Sequence, residues 1–174
     1  DKGIELLLAS VKLLIESGFN ISLVIIGPQE NDLDPIDKKW LEFLENNKNI
    51  IRTGFMSRPE EALVYCHLLC LPSYREGFPM VVLEAAALEI PAIVSRIPGN
   101  IDTIIEGETG LLFPIDQPSE LTEIIRDLYN DRDKCRELGK NARKRVENYF
   151  SDKYIQKEFR NEYLLLNENY EKNL

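Results

Sequence analysis

The sequence has few of the residues that bind metals or form disulfides. It contains one histidine and three cysteines in 174 residues, so a metal cluster built from histidines is excluded. An odd number of cysteines without a Cys-x-x-Cys pair is typical of reduced cytosolic thiols. Cys66 and Cys70 flank His67, but the segment has the pattern of a helix end running into a strand. The two thiols should therefore diverge, and we expect no metal.

The chain also lacks long apolar runs and an excess of positive charge. No apolar run approaches the about 20 residues of a spanning helix, and no strongly basic amphipathic helix or signal-peptide pattern is present. A net charge of −9 repels the phosphate backbone of nucleic acids. These absences predict a cytoplasmic protein without a nucleic-acid partner, although a local basic pocket for one diphosphate stays compatible with them.

What the chain does have is a hydrophobic pattern that alternates between strands and helices. Its length predicts one domain, which at this size buries about 70% of its unfolded surface. The predicted strands cover residues 21–26, 49–53, 67–71, 91–95 and 109–113, and the predicted helices cover residues 4–16, 35–46, 59–65, 79–89, 119–130, 132–149 and 151 onward.

Near-continuous apolar strands that are separated by helices indicate a parallel sheet covered on both faces. We therefore predict a doubly wound, Rossmann-like α/β domain with additional C-terminal helices. Such sheets bind ligands at the carboxyl ends of their strands. The functional residues are accordingly sought in the loops that follow the strands.

The most informative segment is residues 73–89, which leaves a strand, turns at Gly77 and enters a helix with Pro79 in its first turn. The free amides and positive dipole end of such a helix form an anion site, for which phosphate is the natural ligand. From Pro79 to Leu88 every residue is apolar except Glu84. A helix that is apolar all round is buried, so Glu84 is expected to be buried and to need a partner.

Glu76 and Glu84 are expected on either side of this anion site. Their carboxylates are good acceptors for paired sugar hydroxyls, so a ligand with a diphosphate between two hydroxylated rings would satisfy all three features. The alternative is that Glu84 pairs with a buried arginine or a backbone amide and that Glu76 is a solvated loop residue. The joint occurrence of the spacing, the Gly-Phe-Pro turn and the apolar helix favours the ligand site.

The pattern Glu76-Gly-Phe-Pro, with seven residues between Glu76 and Glu84, resembles the signature of glycosyltransferase family 4 and related retaining GT-B enzymes. Further segments in the same order resemble motifs of that family, so the resemblance covers almost the whole chain. These segments are Lys2-Gly3, Leu71-Pro72-Ser73 and Gly107-Glu108-Thr109-Gly110-Leu111-Leu112.

The resemblance implies catalytic roles for Glu76, which would contact the transferred sugar near its reacting carbon, and for Lys2, which would stabilise the departing diphosphate. It places the sugar and diphosphate on the amides of Gly77, Phe78 and the following turn, and the ribose hydroxyls on Glu84. Donor-binding residues are therefore Gly77, Phe78, Pro79, Met80 and Glu84, joined by Gly99 in the loop after the fourth strand. The family retains anomeric configuration and needs no cofactor or metal.

The sequence departs from the family pattern in two places. The arginine that usually precedes the lysine is absent because the chain begins at Asp1, which suggests a truncated first strand and a missing N-terminal acceptor domain. The loop Pro98–Asp102 has Asn100 where a second glycine is frequent and Asp102 where glutamate is more common. The second departure is expected to affect sugar choice.

Three residues after the first two strands are candidates for the nucleobase pocket. Gly27 and Gly54 each follow an apolar strand, and glycine lets the backbone approach a ring closely. Phe55 follows Gly54. We expect all three to contribute to donor binding.

Other candidates have simpler interpretations. His67 is expected to be a packed imidazole and not a base. The segments Lys38-Lys39 and Arg143-Lys144-Arg145 are expected to be solvated helix faces, the alternative being contacts with a membrane or partner domain. The terminal aromatic residues are expected to pack in the core, or else to form an interface with the missing domain. They are Tyr149, Phe150, Tyr154, Phe159 and Tyr163.

The sequence therefore predicts the donor domain of a glycosyltransferase that is inactive in isolation. The parent enzyme would transfer a hexosyl residue from a nucleotide sugar, such as a UDP-sugar, to a glycan or lipid-linked acceptor. The resemblance suggests bacterial capsule or surface polysaccharide synthesis at the inner face of the cytoplasmic membrane. The alternative is a non-catalytic nucleotide-sugar-binding module, and a receiver domain is disfavoured because Gly27-Pro28 stands where its acidic residues would be.

Overall fold

A computed structural model of the chain describes residues 1–28 and 36–171, with side chains to residue 167. The strands are β1 (Leu23–Ile26), β2 (Ile50–Gly54), β3 (Leu69–Leu71), β4 (Ala92–Ser95) and β5 (Gly110–Phe113). The helices are α1 (Ile4–Glu16), α2 (Lys38–Asn46), α3 (Glu60–Leu63), α4 (Met80–Ala87), α5 (Asn100–Thr103), α6 (Pro118–Asn130), α7 (Arg132–Tyr149) and α8 (Asp152–Glu171). The predicted alternation is confirmed, while the predicted start of α2 at Pro35 lies outside the described residues.

Helices cover both faces of the strands. On one face, α1, α6 and α7 pack apolar side chains against Ile93 and Phe113. On the other face, Val82 of α4 packs against Ala92 and Val94. Successive residues of β4 thus point into opposite layers, as the two-residue period of a strand requires. The doubly wound α/β fold is therefore confirmed.

The parallel strands form two ladders. β1 pairs with β2, with Leu23 beside Ile50, and β3, β4 and β5 pair in that order. Within the described ranges, no ladder joins β1 to β3. All residues of β1 and β3 are half-buried, whereas all of β4 are buried. Although their sequences are as apolar as that of β4, β1 and β3 are less buried, because in the described ranges each pairs with a neighbour on one side only.

Several predicted ends differ from the structure. The third strand begins at Leu69 rather than at residue 67, and His67 lies exposed in the bend before it, so a packed imidazole was the wrong interpretation. α6 begins at Pro118 without a side-chain cap, and Ser119 lies inside it. Ser151 lies directly before α8, and its hydroxyl accepts a hydrogen bond from the Tyr154 amide in the first turn of that helix at 3.4 Å.

The terminal aromatic residues do not form a core. Tyr149, Phe159 and Tyr163 are exposed, and so is the run Leu164–Leu166 beside them on α8. Among the described residues, this 20-residue helix packs mainly against α7, so much of its apolar side stays uncovered there. The prediction of core packing is therefore wrong for these residues.

Among the described residues, no helix is both long and apolar enough to cross a membrane.

Candidate functional site

Two segments that are distant in sequence meet at the carboxyl end of β3. Gly3 has a φ of 65°, and a Cβ at this position would overlap the carbonyl group of Pro72. Only glycine combines that backbone conformation with so close an approach. Beside it, the Tyr74 amide donates to the Asp1 carbonyl at 2.8 Å. The Lys2-Gly3 and Leu71-Pro72-Ser73 segments therefore lie side by side.

Lys2 and Glu76 form an ion pair at this junction. The Lys2 Nζ lies 2.8 Å from the Glu76 Oε1, with 12% of the Glu76 side chain and 69% of the Lys2 side chain exposed. Burial acts to raise the pKa of Glu76, but the hydrogen bond and charge of Lys2, together with the neighbouring Ser73 hydroxyl, outweigh it and hold that pKa below its ordinary value. Glu76 is therefore an ionised, partly desolvated carboxylate and not a solvated loop residue.

The loop after Glu76 leads into α4. Gly77 and Phe78 are exposed, and Pro79 occupies the N-cap position with a φ of −76° and a ψ of 100°. No side chain caps the first amides of the helix. The Phe78 ring lies 5.9 Å from the Phe150 ring, centroid to centroid. An uncapped eight-residue helix with a cation, Lys2, nearby has the electrostatics of an anion site.

Glu84 is exposed, so the prediction that it is buried is wrong. The exposed residues of α4 are Met80, Glu84 and Ala87, which share one side of the helix by their spacing of four and three residues. The helix is apolar all round but covered on one side only. In the described part of the chain Glu84 makes no ion pair, and its carboxylate is therefore available on the open side of the helix.

The first two strands end at the same edge. The Gly27 amide donates to the Gly54 carbonyl at 2.9 Å, and both glycines have positive φ angles, 126° and 69°. A Cβ at either position would meet no atom within 4 Å. Phe55 is 78% exposed. Within the described ranges these residues thus lie at an open backbone edge, and their role in holding a base stays a prediction.

The loop after β4 contacts the loop that carries Glu76. Gly99 is buried with a φ of 85°, and a Cβ there would lie 2.6 Å from the Glu76 carbonyl oxygen and closer still to that of Gly77. Next to it, Asn100 is fully buried and donates to the carbonyl and hydroxyl oxygens of Ser95, each at 3.0 Å. The sequence interpretation missed Ser95, whose only signal is a polar residue at the end of a buried strand.

Arg145 does not belong to a solvated helix face. Its guanidinium donates to the carbonyl oxygens of Thr103 at 2.7 Å and Asp102 at 3.1 Å. Burial lowers its pKa from the ordinary value. The prediction for residues 143–145 is therefore wrong at this position, because α7 runs beside the end of α5. Arg143 and Lys144 are exposed as predicted.

The remaining candidates lie away from this edge or have structural roles. Lys38 and Lys39 are exposed on α2. Gly110 lacks the Cβ that would crowd the Ala92 carbonyl, so the Gly107–Leu112 segment brings β5 against β4. In the portion that the structure describes, no group of three or more histidine, cysteine, aspartate or glutamate residues is placed to hold a metal ion.

The fold and this edge define a doubly wound α/β protein whose candidate site, with Lys2, Glu76 and the uncapped start of α4, lies at the carboxyl ends of its strands. The chain belongs to the group 1 glycosyl transferases, whose sequence model matches residues 1–145. It is 37% identical over 163 residues to the capsular polysaccharide biosynthesis glycosyltransferase CapM of Staphylococcus aureus. That match covers 94% of this chain and 43% of CapM, so the chain spans less than half the length of this relative.

Two solved structures are similar in fold. HepE from Anabaena, in complex with UDP, matches with a TM-score of 0.76 and 18% identity over 92% of this chain and 44% of HepE. The C-terminal domain of the group 1 glycosyl transferase LpcC from Francisella tularensis matches with a TM-score of 0.75 and 20% identity. This second match covers 87% of the chain and 80% of that domain. Together they confirm the GT-B-type fold.

Proposed function

We propose that the chain is the donor-binding domain of a retaining glycosyltransferase that uses a nucleotide sugar, with UDP-sugars as the favoured donors. The observation that carries the proposal is the Lys2–Glu76 ion pair beside the uncapped start of α4. One cation, one ionised carboxylate and a helix N-terminus converge at the carboxyl edge of the sheet. A sugar diphosphate matches this set, because its phosphates need positive charge and its hydroxyls need acceptors.

In this proposal Lys2 and Glu76 exchange partners when the donor binds. Lys2 is exposed and carries its charge on a flexible stem, so its ammonium can turn from the carboxylate to the diphosphate. Glu76 is then left to accept hydrogen bonds from the sugar hydroxyls near the reacting carbon. As the glycosidic bond breaks, negative charge grows on the nucleoside diphosphate, and Lys2 together with the start of α4 stabilises it.

Glu84 is proposed to accept the ribose hydroxyls. It follows Met80 by four residues, so its Cα lies about 6 Å along the helix axis from the first helical residue. Glu84 is exposed on the open side of α4, and in the described part of the chain no protein donor competes for its carboxylate. Gly27, Gly54 and Phe55 would hold the base across the same edge.

The parent protein is proposed to have a second, acceptor-binding half. The chain spans 43% of the length of CapM, which supports this arrangement. The interrupted sheet supports, in addition, a further strand in this domain. α1 begins beside the carboxyl end of β3 and returns to the start of β1, which is the path of a crossover helix in a β-α-β unit. A further parallel strand from the longer protein would fit between β1 and β3 and join the two ladders.

The acceptor is proposed to be a glycan or lipid-linked sugar in capsule or surface polysaccharide synthesis, as the name of CapM suggests. Such an acceptor would place the parent protein at the inner face of the cytoplasmic membrane, held there by its other half. The proposal includes no metal, because Lys2 and the α4 amides supply the positive charge. It also follows that the isolated chain binds donor without transferring sugar.

Calorimetry of the chain against nucleoside diphosphates and their sugars tests the proposal. We expect binding in the micromolar to millimolar range, at or above about 1 µM, as for half of a cleft. Glu84→Ala should weaken binding of both UDP and UDP-sugars, whereas Lys140→Ala, an exposed helical lysine on α7, should not. Failure of the wild-type chain to bind any member of the panel would contradict the site.

Transfer assays separate the enzyme from a mere binding module. Binding by the chain, with transfer by the longer protein that is lost in Glu76→Gln, would support the glycosyltransferase. Donor binding without turnover by the longer protein against glycan and lipid-linked acceptors would favour the non-catalytic module. Turnover by this chain alone would contradict the need for a second half.

A further inference from the structure

A chain of buried hydrogen bonds lies directly beneath the loop that carries Glu76. The Ser95 hydroxyl, at the end of β4, donates to the Ser73 carbonyl just after β3. The Asn100 Nδ2 donates to both the carbonyl and the hydroxyl of Ser95 at 3.0 Å. Ser73, Ser95 and Asn100 are each fully buried. The bonds link the two strand ends below the site, three residues before Glu76.

The same two loops also touch at the level of the backbone. Gly99 packs against the carbonyl groups of Glu76 and Gly77 with no room for a Cβ. A hydrogen bond below the loop and a close packing contact beside it restrict the same short segment. Displacing Asn100 would therefore disturb both restraints at once, because Gly99 precedes it directly in the chain.

Asn100 is in turn held from the outside of the domain. The Thr103 hydroxyl donates to the Asn100 carbonyl at 2.6 Å, and Arg145 donates to the Thr103 carbonyl at 2.7 Å. The Arg145 guanidinium lies 4.9 Å from the centre of the Phe150 ring, which packs against Phe78. The loop from Ser73 to Phe78 is thus restrained at both ends. Ser73 is held through Ser95 and Asn100, and the Phe78 ring packs against Phe150, which directly follows α7.

The orientation of the Asn100 amide indicates which of its atoms matter. Its Oδ1 is buried without a hydrogen-bond partner in the described part of the chain. An unpaired buried acceptor destabilises the fold, so this orientation must be set by the donor side of the amide. The reversed amide would point its oxygen at the Ser95 carbonyl, which is an acceptor as well. The side chain is therefore held through its NH₂ group. Aspartate has the same shape but lacks these donors, so it cannot replace asparagine here.

We propose that Asn100, acting through Ser95, is a positioning residue that sets Glu76 for recognition of the sugar, leaving the nucleotide to other contacts. This inference rests on the proposed donor site. Glu84, Gly27 and Gly54 lie on α4 or on the β1–β2 ladder, outside the hydrogen-bonded chain. Loss of the Asn100 donor should therefore alter the sugar end of the site and leave the nucleoside end intact.

Two measurements on the variants Asn100→Asp and Ser95→Ala test the inference. Ser95→Ala is the smaller change and keeps the test possible if Asn100→Asp does not fold. Carboxyl-detected NMR titration follows the pKa of Glu76, which needs no ligand. We expect that pKa to rise toward its ordinary value in both variants, because a displaced Glu76 loses its pairing with Lys2. Calorimetry then compares UDP with a UDP-sugar, and the ratio of their dissociation constants should change about threefold to tenfold, the effect of one hydrogen bond.

Ser10→Ala is the matched control, since it removes a buried hydroxyl whose hydrogen bond to the Leu6 carbonyl, at 3.1 Å, lies far away on α1. It should leave both readouts unchanged. An unaltered Glu76 pKa and an unaltered ratio in a folded Ser95→Ala would overturn the inference, and so would equal weakening of UDP and UDP-sugar. A wild-type chain that binds neither ligand would contradict the proposed function, while the NMR titration would still judge the positioning of Glu76.

Discussion

The two ladders of the sheet differ in how firmly they hold their part of the site. Every residue of β4 is buried, and the loops after β3 and β4 are tied together by Ser95, Asn100 and the close approach of Gly99. Every residue of β1 is half-buried, and Ile51 of β2 is 52% exposed. At the end of the β1–β2 ladder, Gly27 and Gly54 face open space.

This difference matters because the two ladders are proposed to hold different parts of one ligand. The β3–β4–β5 ladder presents Glu76 and the start of α4, whose geometry decides how the reacting end of a donor is oriented. A fixed arrangement of this kind lowers the cost of orienting the reacting groups. In the described ranges the end of the β1–β2 ladder presents the backbone of Gly27 and Gly54 and the exposed Phe55 ring, so it can adapt to the base. The rigid part of the site thus lies where the chemistry is proposed to occur.

Substituting glycines in the two ladders should give the largest contrast. Gly99→Ala combines a positive φ with overlap of the Glu76 and Gly77 carbonyls, and we expect a loss of about 3 kcal/mol of unfolding free energy. Gly54→Ala has the positive φ without the overlap and should cost about 1 kcal/mol. Urea unfolding measures both. Equal losses would show that the loop after β4 is not tightly packed against that of Glu76.

Hydrogen exchange should separate the ladders without any substitution. Amides of β4 are expected to exchange only on global unfolding, whereas amides of β1 and β2 should exchange through local opening that costs about 2 kcal/mol less. The reason is that β1 has one paired edge and half-buried side chains. Residue-resolved exchange measured by NMR reports both free energies. The same protection in β1 and β4 would remove the physical basis of the comparison.

The sequence predicted the elements whose ends depend on local chemistry. α1 and α7 have the predicted bounds, because Gly18 with a φ of 86° ends the first and a strong helical period runs through the second. The family resemblance also assigned Lys2 and Glu76 to one donor site, and their side chains lie 2.8 Å apart. In these cases the residues that form the structural feature are also the ones that make up the recognisable sequence pattern.

Features that depend on tertiary contact were not predictable in the same way. The exposure of Glu84 follows from which side of α4 is covered, and the composition of an apolar helix does not specify that side. The four residues of α5 have too little length for a period, and Arg145 holds their carbonyl groups from 42 residues away. Ser73, Ser95 and Asn100 are ordinary small polar residues until the fold brings them together.

Removing the charge on Lys2 should have a small effect on stability that depends on pH. Because Lys2 is exposed, Lys2→Ala is expected to cost about 0.5 kcal/mol at neutral pH. The pKa of Glu76 is lower in the folded state than its unfolded value of about 4.3, so the pairing stabilises the fold above that value. The contribution is then lost as the pH falls through the lowered pKa, where Glu76 becomes protonated.

The difference in unfolding free energy between wild type and Lys2→Ala should accordingly be constant from pH 7 to about pH 5 and vanish in more acidic solution. Lys12→Ala, on the helix α1 that follows Lys2, is the control, since its exposed pair with Glu16 is loose at 3.9 Å and should contribute less at every pH. A Lys2→Ala difference that persists in acid would mean that Lys2 stabilises the fold through something other than Glu76. The order of the loop that carries Glu76 would then be attributed to the buried hydrogen bonds of Ser95 and Asn100 and to the packing of Gly99.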